Sequence, residues 1–167
     1  MIRLMAAGVL LGLASCARNG AESKPADQSS QSATSAPVIT LERTACFGSC
    51  PVYTISVTAS GDVQYEGRAH VRKMGAATGR VPQELVDALL SELNRGGYFT
   101  FAERYTSPEP TCGRYVTDSP TVITSVTLGG RTKRIAHDYG CGGAPGALVV
   151  LEHRIDEALS SDQWTGR

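Results

Sequence analysis

The sequence predicts an α+β domain: an antiparallel β-sheet with two helices packed on one face, its loops held by disulfides. Three observations carry that expectation. Short runs of alternating β-branched residues are joined by glycine-containing turns, and two later segments repeat apolar residues at helical spacing. The chain also has five cysteines, four of them beyond an N-terminal export signal.

At the N-terminus, Met1-Ile2-Arg3 supplies one positive charge. The ten apolar residues Leu4 to Leu13 are too few to span a bilayer as a helix. Leu13-Ala14-Ser15-Cys16 resembles a bacterial lipobox. That resemblance implies a signal peptide over 1–15, removed before Cys16, with the Cys16 thiol carrying diacylglycerol. Two or three acyl chains hold a protein firmly where one binds reversibly, each buried CH₂ contributing ~0.8 kcal/mol. Residue 17 is Ala and not Asp, which in a Gram-negative host implies the outer membrane, facing the periplasm. Residues 16–37 are rich in Ser, Ala, Gln and Pro and cannot bury enough surface to offset ordering, so they read as a disordered tether with a reach of ~25 Å. Residues 38–167 are then a single domain. Sixteen basic and sixteen acidic residues give zero net charge, so no global field recruits nucleic acid or acidic lipid.

Val38 to Thr44 and Val52 to Thr58 are the first strands. A hairpin with Leu41 opposite Ile55 and Ile39 opposite Val57 puts their apolar residues on one side. The same register sets Cys46 opposite Cys50, within disulfide range. Ala59-Ser60-Gly61 can form a three-residue loop, after which Val63 faces Val57, Tyr65 faces Ile55 and Gly67 lies across from Tyr53. The outer face then carries Gln64, Glu66, Arg68, His70 and Arg72 opposite Thr54, Ser56 and Thr58. Met74 to Val81 adds a short strand.

Pro82 to Asn94 reads as a helix with the stripe Leu85, Val86, Leu89, Leu90, Leu93, stopped by Gly96-Gly97. Tyr98 to Tyr105 packs aromatics over the sheet's end, and Ser107 to Ser119 is a loop. Thr121 to Leu128 and Arg131 to Tyr139 form a hairpin on Gly129-Gly130. Pro145 to about Ser160 is the last helix, with Leu148, Leu151, Ile155 and Leu159 inward. Running the second hairpin back from Leu128 opposite Arg131 brings Cys141 level with Asp118, so Cys112, just beyond, is its natural partner. With Cys16 assigned to lipid, the four remaining cysteines make two bridges.

The stretch Thr44-Ala45-Cys46-Phe47-Gly48-Ser49-Cys50-Pro51-Val52-Tyr53, followed by Gly61-Asp62-Val63-Gln64-Tyr65-Glu66-Gly67, resembles domain of unknown function family 6438. Asp118-Ser119-Pro120-Thr121 and Gly143-Ala144-Pro145 are also similar to that family, and the likeness spans about Ile39 to Trp164. It implies a bacterial, often exported or lipid-anchored domain of antiparallel strands and two helices, and no activity.

Cys46 and Cys50 are spaced by three residues, not two, and lead into a strand. They therefore lack the helix N-terminus that lowers a thiol pKa in redox motifs. Cys112 and Cys141 form no second close pair for zinc with His137, so neither metal nor cofactor is expected. His137 falls on the face of Val122 and Ile135 as a packed histidine, and His153 lies near Glu152 and Asp156. No catalytic motif stands out. Arg68, His70, Arg72 and His137 are the candidate binding residues. A basic strip of Arg68, Arg72, Lys73, Arg131, Lys133 and Arg134 against an anionic envelope polymer competes with a merely solvated face, which the interleaved Glu66 favours. The expected function is a non-catalytic binding or structural module, anchored to the membrane by lipid and meeting an envelope protein or polymer. The rival is an envelope enzyme, either a disulfide oxidoreductase or a hydrolase, which a deep cleft at Cys46, Cys50 or His137 would favour.

Overall fold

The computed structural model describes residues 35–166, so the signal peptide, the lipidation of Cys16 and nearly all of the tether lie outside the described residues. Within them, β1 (Pro37–Arg43), β2 (Val52–Thr58), β3 (Asp62–Ala69) and β4 (Gly75–Arg80) lead into helix α1 (Gln83–Arg95). β5 (Arg104–Tyr105), β6 (Thr121–Leu128), β7 (Arg131–Asp138), α2 (Gly146–Ala158) and the short α3 (Asp162–Thr165) complete the chain. The strands form one sheet in the order β4-β3-β2-β1-β6-β7-β5.

Period-two alternation decides the registers. Leu41 pairs with Ile55 and Ile39 with Val57, Val63 and Tyr65 lie opposite Val57 and Ile55, and Leu128 faces Arg131. Gly61 takes the left-handed conformation in the turn that sets β3 (φ 88°). Because the side-chain period is two, these pairings send Ile39, Leu41, Ile55, Val57, Val63 and Tyr65 to the inner face, where all are buried. α1 covers that face through Val86, Leu89, Leu90 and Leu93, and α2 through Leu148, Leu151 and Ile155. The fold is therefore α+β, disulfide-containing and mostly antiparallel.

Four features differ from the sequence-based expectation. β5 runs parallel to β7, making the sheet mixed; it pairs Tyr105 with His137 and is too short to show any periodicity. β3 ends at Ala69, so His70 (φ 53°) and Arg72 belong to the connection to β4 and not to the outer face of a strand. Thr58 is buried, its hydroxyl engaged by Ser60 and by the Asp62 N–H in the turn. The last helix stops at Ala158, and α3 brings Trp164 back over the sheet to stack on Tyr65 at 5.0 Å. A Cβ at Gly79 would stand 3.1 Å from that indole, which is why β4 carries glycine there.

A buried charged network beside an open cleft

Continuing the alternation of β1 past Ile39 and Leu41 places Arg43 on the dry face, opposite Tyr53 on β2 and Val122 on β6. A cation there needs partners, because desolvating an unpaired charge costs several kcal/mol. α2 supplies them. Asp156 accepts Arg43 Nε at 2.8 Å and Nη2 at 2.7 Å on Oδ2, and the Tyr53 hydroxyl at 2.6 Å on Oδ1. Arg43 Nε also lies 3.1 Å from the Tyr53 hydroxyl oxygen, and Nη1 donates to Tyr139 Oη at 3.3 Å.

Tyr139 links this group to a second one. Its hydroxyl donates to Glu152 Oε2 at 3.0 Å, and Glu152 Oε1 lies 3.0 Å from His137 Nδ1. Glu152 is 1 % exposed and His137 3 %, so this carboxylate is buried on the inner side of α2. Burial pushes the Tyr53 hydroxyl pKa up, and the Asp156 carboxylate adds to the shift. The Tyr139 hydroxyl is raised by burial and then by Glu152. For Arg43, burial works against the charge, but Asp156, Tyr53 and Tyr139 outweigh it and the net shift is upward.

Arg43, Tyr53 and Asp156 form the floor of an open cleft of about 640 Å³, with Cys50, Pro51 and Pro120 on one rim and His153, Glu157 and Asp162 on the helical side. The Cys46–Cys50 bridge joins residues with Cα atoms 5.7 Å apart, as the hairpin register requires. Cys112–Cys141, with Cα atoms 4.5 Å apart, ties the loop before β6 to the segment after β7. Among the described residues no three His, Cys, Asp or Glu side chains converge to hold a metal, and no helix is long and apolar enough to cross a membrane.

The four candidate binding residues are not brought together. His137 enters the buried network from the inner face. Arg68 lies on the outer face, bonded to Glu42 and Thr54. His70 and Arg72 sit in the β3–β4 connection, where the Arg72 N–H meets Thr165 O. The basic strip is likewise divided. Arg131 lies over the Phe99 ring and Lys133 bonds Phe101 O, whereas Arg134, the residue between Lys133 and Ile135, points to the outer face. Alternation along β7 separates them. Sequence reasoning missed Arg43, Tyr53, Tyr139, Glu152 and Asp156 as a group. The available signal was Arg43, since the register that buries Ile39 and Leu41 also turns an arginine inward.

Fold and site together define a small disulfide-braced α+β domain with a charged network at one end of its core and a cleft above it. The chain belongs to the family described as Domain of unknown function (DUF6438), whose model matches residues 37–159. None of the curated proteins matches it.

Proposed function

We propose that the chain is a lipoprotein of the bacterial cell envelope, anchored through Cys16 to the outer membrane and facing the periplasm, with a non-catalytic binding domain whose ligand occupies the cleft. The observation that supports binding over catalysis is the saturation of the cleft floor. Both Asp156 oxygens already accept hydrogen bonds from Arg43 and Tyr53, so this carboxylate is committed to holding the floor of the cleft together. The thiols nearest the cleft are held in the Cys46–Cys50 bridge. The anchor rests on the Leu13-Ala14-Ser15-Cys16 sequence.

Two measurements test this reading. Cys16→Ser should abolish acyl labelling and leave the signal uncleaved or the product soluble; native protein that partitions into the aqueous phase of a detergent extraction would overturn the anchor. A photoreactive residue at the exposed His153, in the cleft, should give a discrete adduct in cells, whereas one at Arg134 on the outer face should not. Equal labelling at both positions, or none, would overturn the cleft as the binding site. That Cys50 borders the cleft favours the rival, an envelope oxidoreductase. Titration in glutathione buffers separates the two. Structural bridges in exported proteins lie below about −300 mV, and a Cys46–Cys50 potential near −200 mV would establish the rival.

A further inference from the structure

The two edges of the sheet are built differently. A sheet edge presents unpaired N–H and C=O groups, and proteins blunt such edges with short strands, charged side chains, proline or bulges. At one edge β5 is two residues long, and the length of β7 that it leaves uncovered carries Arg131, Lys133 and Arg134. At the other edge β4 is longer and plainer. It runs six residues without proline and pairs with β3 one to one, from Arg80 opposite Asp62 to Gly75 opposite Gly67. Its one charged residue, Arg80, stands last. The Val81 N–H donates to Gly61 O at 2.9 Å. By the alternation of an antiparallel ladder, Gly79, Ala77 and Gly75 then turn their backbone groups to β3, and Arg80, Thr78 and Ala76 turn theirs outward. Among the described residues nothing bonds these three outward N–H groups.

We propose that β4 pairs antiparallel with β4 of a second copy of the chain, about a two-fold axis at Thr78, joining two seven-stranded sheets into one. In this register Thr78 faces its copy, Ala76 faces Arg80 and Ala77 faces Gly79. Three rows then match across the junction. On the outer face Asp62 and Arg80 are followed by the second copy's Ala76 and Glu66, so each arginine stands between a carboxylate of its own chain and one of the other. The central row is Gln64, Thr78 and their copies, uncharged and with threonine opposite threonine, a favourable cross-strand pair. On the inner face Ala77 meets Gly79, so no side chain larger than a methyl obstructs the approach, and the Trp164 indole beneath Gly79 comes beside the second copy's Ala77. Moving the axis to Ala77 would set Arg80 opposite Met74 and lose the charge match. That match also favours a second copy over a strand from the same chain, because the run 28–36 that leads into β1 is uncharged and offers Glu66 no cation. No β4 residue lines the cleft, and the pairing needs neither the anchor nor a ligand, so it stands independently of the function proposed above.

The test is sedimentation equilibrium and hydrogen exchange on the native full chain in a mild detergent. A monomer–dimer equilibrium is expected, with the Ala76, Thr78 and Arg80 amides protected progressively as concentration rises. Thr78→Pro removes the donor on both sides of the axis, and losing two hydrogen bonds should weaken the dimer about thirtyfold. The Thr78 N–H faces away from β3, where an edge strand accepts proline. Thr78→Lys, at an exposed position, sets like charges face to face and should weaken the dimer about fivefold while leaving the unfolding of the monomer unchanged. Thr78→Cys should form a disulfide with its copy, whereas Ala76→Cys, about 14 Å from its copy in this register, should not. A chain that stays monomeric at every concentration would overturn the proposal. So would protection of these amides that is independent of concentration, which would mark the segment 16–36 of the same chain on the edge. A dimer left intact by both Thr78→Pro and Thr78→Lys would overturn β4 as the interface, and equal cross-linking at 76 and 78 would overturn the register.

Discussion

Removing Arg43 tests whether the charged network is as tightly coupled as its geometry implies. The pair is 13 % and 14 % exposed, and the guanidinium makes two hydrogen bonds to one carboxylate oxygen. Two unit charges about 4 Å apart at an effective dielectric near 20 attract by about 4 kcal/mol. Partial contact with water screens that value. Arg43→Met leaves Asp156 with Tyr53 alone, so the loss should be about 2–3 kcal/mol, below the 3–5 kcal/mol of a fully buried pair broken on one side. Asp156→Leu should cost a similar amount, because it strands both Arg43 and the Tyr53 hydroxyl. The double variant Arg43→Met/Asp156→Leu should cost about 3 kcal/mol instead of the summed ~5, a coupling near 2 kcal/mol. Urea denaturation followed by circular dichroism measures all four corners of the cycle. A coupling below about 0.5 kcal/mol would refute the reasoning, since the two groups would then be solvated independently.

Two further predictions rest on the same structure. Cys112→Ala/Cys141→Ala opens a loop of sequence separation 29 and should cost ~3.5 kcal/mol, whereas Cys46→Ala/Cys50→Ala, with separation 4, should cost no more than ~2; denaturant midpoints showing the reverse order would contradict the loop-entropy account. Burial raises the folded-state pKa of Tyr53, Tyr98 and Tyr139 above the unfolded value. An acid with a raised folded pKa keeps its full contribution below the unfolded pKa and loses it above, so stability should hold to about pH 10 and then fall. Tyr98→Phe should make that fall shallower, read from urea midpoints between about pH 8 and 11; an unchanged slope would mean that the hydroxyl already titrates in the folded state.

The sheet was legible because its information is local. Alternation in β1, β2 and β3, together with the glycine turns, fixes which residues oppose one another, and Cys46–Cys50 follows from the first register; Cys112–Cys141 forms as expected although Cys141 stands opposite Tyr115 and not level with Asp118. β5 escaped because two residues carry no period and because its parallel partner lies more than thirty positions later. The site was less legible for a different reason. Glu152 is a carboxylate on an amphipathic helix, a residue type that normally faces water, and only His137 on β7 and Tyr139 just after it make its burial tolerable. Arg43 and Asp156 are 113 positions apart, and nothing in either segment alone names the other. Helical spacing does place Leu148, Glu152, Ile155 and Asp156 along one side of α2. That adjacency becomes informative once Arg43 and His137 are known to face it.

Buried ion pairs contribute little net stability compared with well-packed apolar residues, so a network of this size is better explained by what it forbids. Glu152 and Asp156 are one helical turn apart, and each meets a different basic group, His137 and Arg43. A slip of α2 by one turn in either direction keeps only one of those meetings. Sliding Asp156 onto His137 would bring Ser160 to Arg43, and sliding Glu152 onto Arg43 would bring Leu148 to His137. The first slip leaves the buried Arg43 guanidinium without a carboxylate, at a cost of several kcal/mol, and the second leaves the buried His137 ring nitrogen without its hydrogen-bond partner, at about 1–3 kcal/mol, whereas the apolar contacts of Leu148, Leu151 and Ile155 would discriminate less sharply between turns. The network therefore fixes the axial position of α2 on the sheet. Because Asp156, Glu157 and the segment leading to α3 form the helical side of the cleft, fixing α2 also sets the cleft's width. On this account the charges are retained for the shape they impose on the cleft, and their partners must come from both the first and last strands in the sequence to impose it.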